Sequence, residues 1–231
     1  MDFKDTGPDL KMKLLKYLEG FISENKSKLF DEIIQNRTRY ITIILEDIYQ
    51  SQNASAVLRT CDCFGIQDVH IIENKNTYEV NPDVALGSSK WLSLHKYTEV
   101  ENNTVQCYDA LRSQGYRIVA TSPHKNDTML DELDLQGKFA LAFGTEMNGL
   151  SDAAIENADE YVKIPMYGFT ESYNISVSAA IMLHHLSGKL RATSLPWQLG
   201  HDEMIDTRLS WVRSVLKHPE IYEKEFIKKH G

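Results

Sequence analysis

Short apolar runs alternate with helix-like segments through the middle of this chain, and that alternation limits its possible folds more than any other feature. The run at 40–45 is nearly continuous and rich in β-branched residues, which is typical of a strand covered on both faces. Four further runs also have the pattern of strands: 69–72, 116–120, 139–143 and 161–164. Helical segments lie between or after them, including 53–64, 104–113 and about 174–190. The alternation predicts an α/β fold with a parallel sheet, helices on both faces and a ligand site at the carboxyl ends of the strands.

The two ends of the chain have a different pattern. The first 36 residues place their leucines and isoleucines at helical spacing, and 201–217 and 220–229 have the pattern of two polar helices. We therefore expect three parts: a helical extension over 1–39, a central domain over 40–190 and a second helical extension over 191–231.

Composition narrows the class of protein. The chain is 42% hydrophobic and 25% charged, which excludes collagen-like and disordered classes. It has neither a membrane-length apolar stretch nor the apolar core of a signal peptide, so we expect a cytoplasmic protein without a membrane partner. Its three cysteines lack the C-x-x-C spacing of zinc and redox sites, so we expect neither disulfides nor bound metal.

Charge is distributed unevenly along the chain. Residues 40–187 carry 9 Lys and Arg against 20 Asp and Glu, whereas residues 1–39 carry 8 against 7 and residues 188–231 carry 8 against 6. Since nonspecific nucleic-acid binding requires clustered cations, the acidic middle argues against it. Any nucleic-acid partner would have to be held by the ends and a local patch.

Three segments rich in glycine and polar residues follow predicted strands: N-A-S-A-V-L-R at 53–59, F-G-T-E-M-N-G-L-S at 143–151 and I-P-M-Y-G-F-T-E-S-Y-N at 164–174. Each has an ordinary structural interpretation. Asn53 and Asn174 have the residue type of helix N-caps, and Arg59 that of a surface cation. Gly144 and Gly149 allow a ligand close to the backbone, but the Lys-Ser/Thr pair of a phosphate-binding P-loop is missing.

Taken together and in order, these segments resemble motifs 1, 2 and 3 of the SpoU family, the RNA ribose 2′-O-methyltransferases of the SPOUT superfamily. The resemblance extends over residues 40–187 and rests on N-x-x-A-x-x-R-T, F-G-x-E-x-x-G-L-S and I-P-M-x-G-x-x-x-S-x-N-x-S-x-x-A. The short helical ends are similar to those of members that methylate guanosine 18 in the D-loop of tRNA. Methylation of another tRNA or ribosomal RNA ribose, or a catalytically idle dimeric RNA-binding factor, are the alternatives.

The resemblance implies a parallel-sheet α/β trefoil knot, and a homodimer whose active sites combine residues of both subunits. It implies S-adenosylmethionine as cofactor, in a pocket lined by Thr121 with Ser122 nearby, Gly144, Ile164, Ser172 and Tyr173. The catalytic residues it implies are Asn53, Arg59, Glu146 and Asn174, with no metal. With tRNA as partner, the RNA-binding candidates are the cations near the two ends of the chain: Arg37, Arg39, Lys189, Arg191 and Arg208. Solubilising surface charge is the alternative role for these five.

The chemistry leaves the role of Arg59 open. A guanidinium is effectively always protonated in proteins, so Arg59 is either a strongly perturbed general base or a clamp on a substrate phosphate. Glu146 is expected to orient that arginine. Asn53 and Asn174 are expected to position the substrate by hydrogen bonds, because amides do not titrate.

Overall fold

A computed structural model of the chain describes residues 7–77, 82–85, 87–121 and 127–230. Within them one sheet contains β1 (Ile41–Glu46), β2 (Asp68–Ile72), β3 (Ser93–Tyr97), β4 (Arg117–Thr121), β5 (Thr128–Met129), β6 (Phe139–Phe143) and β7 (Glu160–Lys163). The helices of the same region are α3 (Ser51–Cys63), α4 (Pro82–Ala85), α5 (Asn103–Ser113), α6 (Asp152–Glu156) and α7 (Ile175–Arg191), with a 3₁₀ turn at Ser88–Lys90.

The seven strands are all parallel and lie in the order β3-β2-β1-β6-β4-β7-β5. In the centre of the sheet, Leu45 of β1 is paired with Phe143 of β6. Side chains of α3 and α7 pack on one face of the sheet and those of α5 and α6 on the other. The chain therefore leaves β1 toward one face and β6 toward the other, which opens a crevice beyond their carboxyl ends.

The central strand β6 shows how its sequence serves two different faces. Phe139, Leu141 and Phe143 belong to the large core cluster beneath α3 and α7. Ala140 and Ala142 point to the opposite cluster, against α5 and α6. All five are at most 2% exposed, and burial on both faces explains why this strand reads as a continuous apolar run.

The parallel α/β class and the five predicted strands are confirmed, but two edge strands, β3 and β5, were not predicted. The side chains of β3 are half-buried or exposed, and both residues of β5 are exposed. An edge strand lacks a neighbour on one side, so its sequence need not carry the apolar run from which the central strands were predicted.

The helix of motif 1 begins earlier than predicted. Asn53 is the third residue of α3, and Gln50 is the N-cap, without a side-chain hydrogen bond to the helix. The predicted end near residue 64 is confirmed: α3 ends at Cys63, Gly65 has φ 76°, and the Ile66 N–H donates to the Cys61 carbonyl at 2.9 Å. That left-handed turn is the usual reason for glycine after a helix.

The two ends of the chain together form one unit, whereas the sequence analysis predicts a separate extension at each end of a central domain. The central unit covers Thr38–Trp197, and the helical unit combines the chain before Thr38 with the chain after Trp197. The helical unit contains α1 (Pro8–Glu19), α2 (Glu24–Ile34), α8 (His201–Val215) and α9 (Pro219–His230), and α1 packs against α8 and α9. Its core includes Leu14, Leu18 and Trp211, whose indole lies 5.4 Å from the ring of Phe30. Among the helices described, none is both long and apolar enough to cross a membrane.

Candidate active site

A cavity of about 570 Å³ lies at the carboxyl ends of the neighbouring strands β6, β4 and β7. Its volume falls within the roughly 300–1,000 Å³ of small-molecule sites. The five residues expected to bind the cofactor all line it: Thr121, Gly144, Ile164, Ser172 and Tyr173. Glu146 lines it as well, and Ser122 lies outside the described residues. Its apolar walls include Phe143 and Leu150, which belong to motif 2 but were not assigned to the cofactor, and Met182, which lies outside the motifs.

The motif 2 segment that forms one wall of this cavity is folded back on itself. The Thr145 N–H donates to the Gly149 carbonyl and the Gly149 N–H donates to the Thr145 carbonyl, both at 2.9 Å. This reversal brings Gly149 and Leu150 against Gly144, so closely that a Cβ atom at Gly144 would overlap their backbone atoms. Only glycine fits at this position, because backbone atoms cannot yield as the end of a flexible side chain can.

Three of the four predicted catalytic residues meet at the N-termini of α3 and α7. The Asn174 Oδ1 atom caps α7 by accepting from the Ser176 N–H at 2.9 Å and the Ser176 hydroxyl at 2.6 Å. The Asn174 Nδ2 group donates to Asn53 Oδ1 at 3.2 Å, and Asn53 Nδ2 donates in turn to Glu146 Oε1. The carboxylate thus lies near a helix N-terminus, where the helix dipole favours negative charge.

Arg59 is separate from this cluster. It lies six residues after Asn53 in α3, and its side chain is exposed with no hydrogen bond or ion pair to any residue that the structure describes. Within one chain Glu146 accepts from Asn53 and makes no described contact with Arg59, so orientation of Arg59 by Glu146 stays a prediction that would involve a second copy of the chain. An exposed arginine is available to a phosphate or to a second protein chain.

The five cations predicted to bind RNA are all engaged by the protein itself. Arg37 is only 2% exposed, and its guanidinium lies 5.3 Å from the centre of the Trp211 ring. Arg208 is held between the carboxylates of Glu19 and Asp31. Burial removes Arg37 from solvent, and two carboxylates offset the charge of Arg208, which argues against RNA contacts by these two predicted residues.

The other three cations make weaker internal contacts. Arg39 pairs with Asp68 at 2.8 Å, and Lys189 donates to the Asp131 carbonyl at 2.8 Å while remaining exposed. Arg191 donates to the Phe64 carbonyl at 3.2 Å and lies 4.5 Å from the Trp197 ring, where burial lowers its pKa. These contacts leave Lys189 the most accessible of the five.

Sequence reasoning missed a set of lysines that the helical unit exposes. They are Lys13 and Lys16 on α1, and Lys224 and Lys228 on α9, and none of them pairs with a residue in the described part of the chain. Spacings of three and four residues place the two members of each pair on one helix face. That spacing was the signal available in the sequence.

Large apolar side chains project into solvent around the cavity. Met147 in the motif 2 segment is 93% exposed, and Tyr167 in the motif 3 segment is 96% exposed. Phe169, also in the motif 3 segment, is fully exposed, although phenylalanine is among the residue types most often buried. A concentration of such residues beside a site indicates an interaction surface.

No group of three His, Cys, Asp or Glu side chains among the described residues is arranged to hold a metal ion. The site offers amides, carboxylates, backbone groups and apolar walls. Such a set can orient a polar substrate beside a bound organic cofactor.

The family model of the SpoU rRNA Methylase family matches residues 40–184. The chain belongs to this family. The match covers most of the central unit, including the whole cavity wall and the Asn53, Glu146 and Asn174 cluster. The SpoU resemblance of the three motifs is thereby confirmed.

Three known proteins illustrate what the chain is similar to. A tRNA (guanosine(18)-2′-O)-methyltransferase of Borreliella burgdorferi is 45% identical over 212 residues, covering 92% of this chain and 95% of the relative. The crystal structure of the Aquifex aeolicus TrmH/SpoU tRNA modifying enzyme is 28% identical with a TM-score of 0.73, covering 84% of this chain and 98% of that one. The methyltransferase AviRb of Streptomyces viridochromogenes, solved with AdoMet, shares the fold at 19% identity and a TM-score of 0.57, covering 70% of this chain and 62% of that one.

Proposed function

We propose that this chain transfers a methyl group from S-adenosylmethionine to the ribose 2′-hydroxyl of guanosine 18 in tRNA. The observation that carries the proposal is 45% identity, over 92% of the chain, to a relative named for that reaction. An alignment of 212 residues is longer than the region 40–187, so it extends into the helical ends as well as the SpoU core. Similarity beyond the catalytic core is what favours this substrate over another tRNA or ribosomal RNA ribose.

The cavity residues fit the cofactor. The glycine at 144 lets the backbone of Gly149 and Leu150 pack directly against it, which shapes the cavity wall, and the apolar side chains of Phe143, Leu150 and Met182 suit an adenine ring. Gly144, Ile164, Ser172 and Tyr173 would hold the cofactor, with Thr121 at the neighbouring strand end. When bound, S-adenosylmethionine supplies a methyl group already activated by the sulfonium charge.

The protein's own contribution is orientation of the ribose and acceptance of a proton. Asn174, Asn53 and Glu146 form one hydrogen-bonded chain. The two asparagines would position the ribose hydroxyl at a fixed place beside the cavity. Arg59 acts either as the base for the 2′-hydroxyl proton or as a clamp on the adjacent phosphate, in which case the proton passes to water. No step of this scheme needs a metal.

A homodimer and a knotted chain complete the proposal. The exposed Met147, Tyr167 and Phe169 beside the cavity provide an apolar surface for a second copy of the chain. A second copy would also bring an Arg59 to the other subunit's Asn53, Glu146 and Asn174. SpoU membership supports the trefoil knot, and a tRNA substrate supports a cytoplasmic location.

Phosphate contacts are proposed for the accessible cations. Lys189 is the first candidate, with Arg39 and Arg191 as partly buried additions. The exposed Lys13, Lys16, Lys224 and Lys228 replace Arg37 and Arg208, which the protein itself engages. Each cation that contacts a phosphate contributes close to one unit to the salt dependence of tRNA affinity.

The test uses purified protein, S-adenosylmethionine and an unmodified tRNA transcript, followed by nuclease digestion and mass spectrometry. We expect one 2′-O-methylguanosine, at position 18, and none in a transcript carrying adenosine there. A methyl group elsewhere would contradict the substrate assignment and retain the chemistry. Binding of tRNA without any calorimetric binding of S-adenosylmethionine would favour an idle RNA-binding factor instead.

A further inference from the structure

Glu46 is a buried carboxylate at the centre of the sheet. It is the last residue of β1, only 2% exposed, and follows Leu45, the partner of Phe143. Glu46 is therefore level with Gly144, the first residue of motif 2. Its side chain points to the same face as Ile44, toward α5 and α6. No lysine, arginine or histidine among the described residues forms an ion pair with it.

Hydrogen bonds take the place of an ion pair. Ser151 donates to Glu46 twice: its backbone N–H to Oε2 and its hydroxyl to Oε1, both at 2.8 Å. The Thr104 hydroxyl of α5 donates to Oε1 at 2.5 Å. Ser151 is also the last residue of motif 2 and the N-cap of α6, where its hydroxyl accepts from the Ala154 N–H.

The network requires an acceptor on both carboxylate oxygens. The Ser151 N–H can only donate, and the Thr104 hydroxyl accepts from Asn74 Nδ2 at 2.9 Å, which commits its own proton to Glu46. Ser151 is similarly committed, because its hydroxyl accepts from Ala154. A glutamine at position 46 would direct an amide N–H at one of these donors, leaving a buried polar group without a partner.

We propose that Glu46 is a positioning residue that fixes the wall of the cofactor cavity by holding the far end of motif 2. The first end of the segment is held by β6, whose last residue, Phe143, is paired with β1 in the sheet. Glu46 holds the other end through Ser151. Between the two anchors lie Gly144 and Glu146, which the proposed function assigns to the cofactor and to catalysis. The inference rests on that proposed function.

The test compares two variants that break different parts of the network. Glu46→Gln is expected to weaken S-adenosylmethionine binding in calorimetry by about tenfold or more, because displaced wall atoms lose their contacts with the cofactor. Hydrogen exchange of the amides at 144–151 should also become faster. Thr104→Val removes the α5 contact to Glu46 and the contact of Asn74 with Thr104, but leaves both Ser151 contacts to Glu46 in place. It should therefore lower the melting temperature and leave cofactor affinity within about twofold of the parent.

Two further variants separate this role from general stability. Glu73→Gln is the matched control: Glu73 follows β2, has a side chain only 10% exposed and pairs with Lys96 at 3.0 Å, apart from motif 2. It should leave cofactor affinity unchanged. Ser151→Ala should weaken cofactor binding, and combining it with Glu46→Gln should cost less than the product of the two single effects.

The possible outcomes distinguish the two proposals. If the parent protein binds no S-adenosylmethionine, the proposed function fails. If the parent binds it and Glu46→Gln binds it equally well with unchanged exchange at 144–151, the positioning role is overturned. If Glu46→Gln does not fold, the comparison of Ser151→Ala with Thr104→Val decides. Equal cofactor affinity in those two variants would overturn the positioning role of Glu46.

Discussion

At the scale of single residues, Gly144 is the position with the least freedom. Gly144→Ala is expected to abolish measurable S-adenosylmethionine binding, because the added Cβ would overlap the backbone of Gly149 and Leu150 and force motif 2 to move. Calorimetric titration measures the loss. Gly188→Ala is the control: nothing lies within 4 Å of a Cβ there, and Gly188 lies inside α7. That variant should bind normally and gain about 0.5–1 kcal/mol of helix stability.

Arg59 supplies the second prediction at this scale. Since its side chain is exposed and unpaired among the described residues, Arg59→Ala should change the free energy of unfolding by no more than about 0.5 kcal/mol. Methyl transfer should nearly cease. Arg59→Lys then separates its two possible roles: a clamp retains part of the rate with a raised KM for tRNA, whereas a base shifts the rate's alkaline limb to lower pH. Full activity in Arg59→Ala would remove Arg59 from the site.

At the scale of elements, Asn174 has two duties that substitution can separate. Its Oδ1 atom caps α7, and its Nδ2 group contacts Asn53. Asn174→Ser keeps a good capping oxygen and loses the amide donor, so we expect near-normal stability with strongly reduced methyl transfer. Asn174→Ala should lose both and cost about 1 kcal/mol of stability. Urea unfolding with single-turnover rates measures the split, and an active serine variant would assign Asn174 to capping alone.

The β2–β3 edge of the sheet makes stability depend on pH. Burial, followed by the nearby charge of His95, lowers the pKa of His70 to about 4, although Asp68 opposes the shift. The His70 ring stacks on His95 at 4.7 Å and contacts the Tyr97 hydroxyl at 3.0 Å. In the unfolded chain a histidine pKa lies near 6.5, so the unfolded state binds more protons between about pH 6.5 and 4.

Stability should therefore be complete above about pH 6.5 and fall by up to about 3 kcal/mol as pH drops to about 4. Urea unfolding across this range checks the slope. His70→Phe, which keeps a ring on His95, should flatten it, whereas His218→Ala should not, since His218 is largely exposed. An unchanged slope in His70→Phe would assign the dependence to another group.

At the scale of the whole molecule, the separation of Arg59 from the Asn53, Glu146 and Asn174 cluster predicts shared active sites. If two subunits combine their residues, mixing inactive Arg59→Ala with inactive Gly144→Ala should restore about a quarter of the parent activity after subunit exchange. Half of the dimers would be mixed, each with one intact site. Absence of any recovery, with exchange demonstrated by mass spectrometry, would place every catalytic group in one chain.

The sequence by itself determined the parallel α/β class, the central strands and the three site segments. These features depend on local periodicity and on residue types at short spacing, which are visible without knowing which distant residues meet. The same holds for the carboxyl-end location of the cavity, because parallel strands bring their ends to one edge of the sheet. The edge strands β3 and β5 lack a neighbour on one side and carry no such pattern.

Only the tertiary structure decided which polar groups are free and which are paired. Arg37 is buried against Trp211, and Arg208 is held by Glu19 and Asp31. All three contacts join residues far apart in the sequence. The proposed positioning role of Glu46 likewise depends on a long-range contact, because Ser151, which donates to it, lies 105 positions later. Burying a charge is favourable only where its partners are already in place, so the fate of these groups depended on long-range packing.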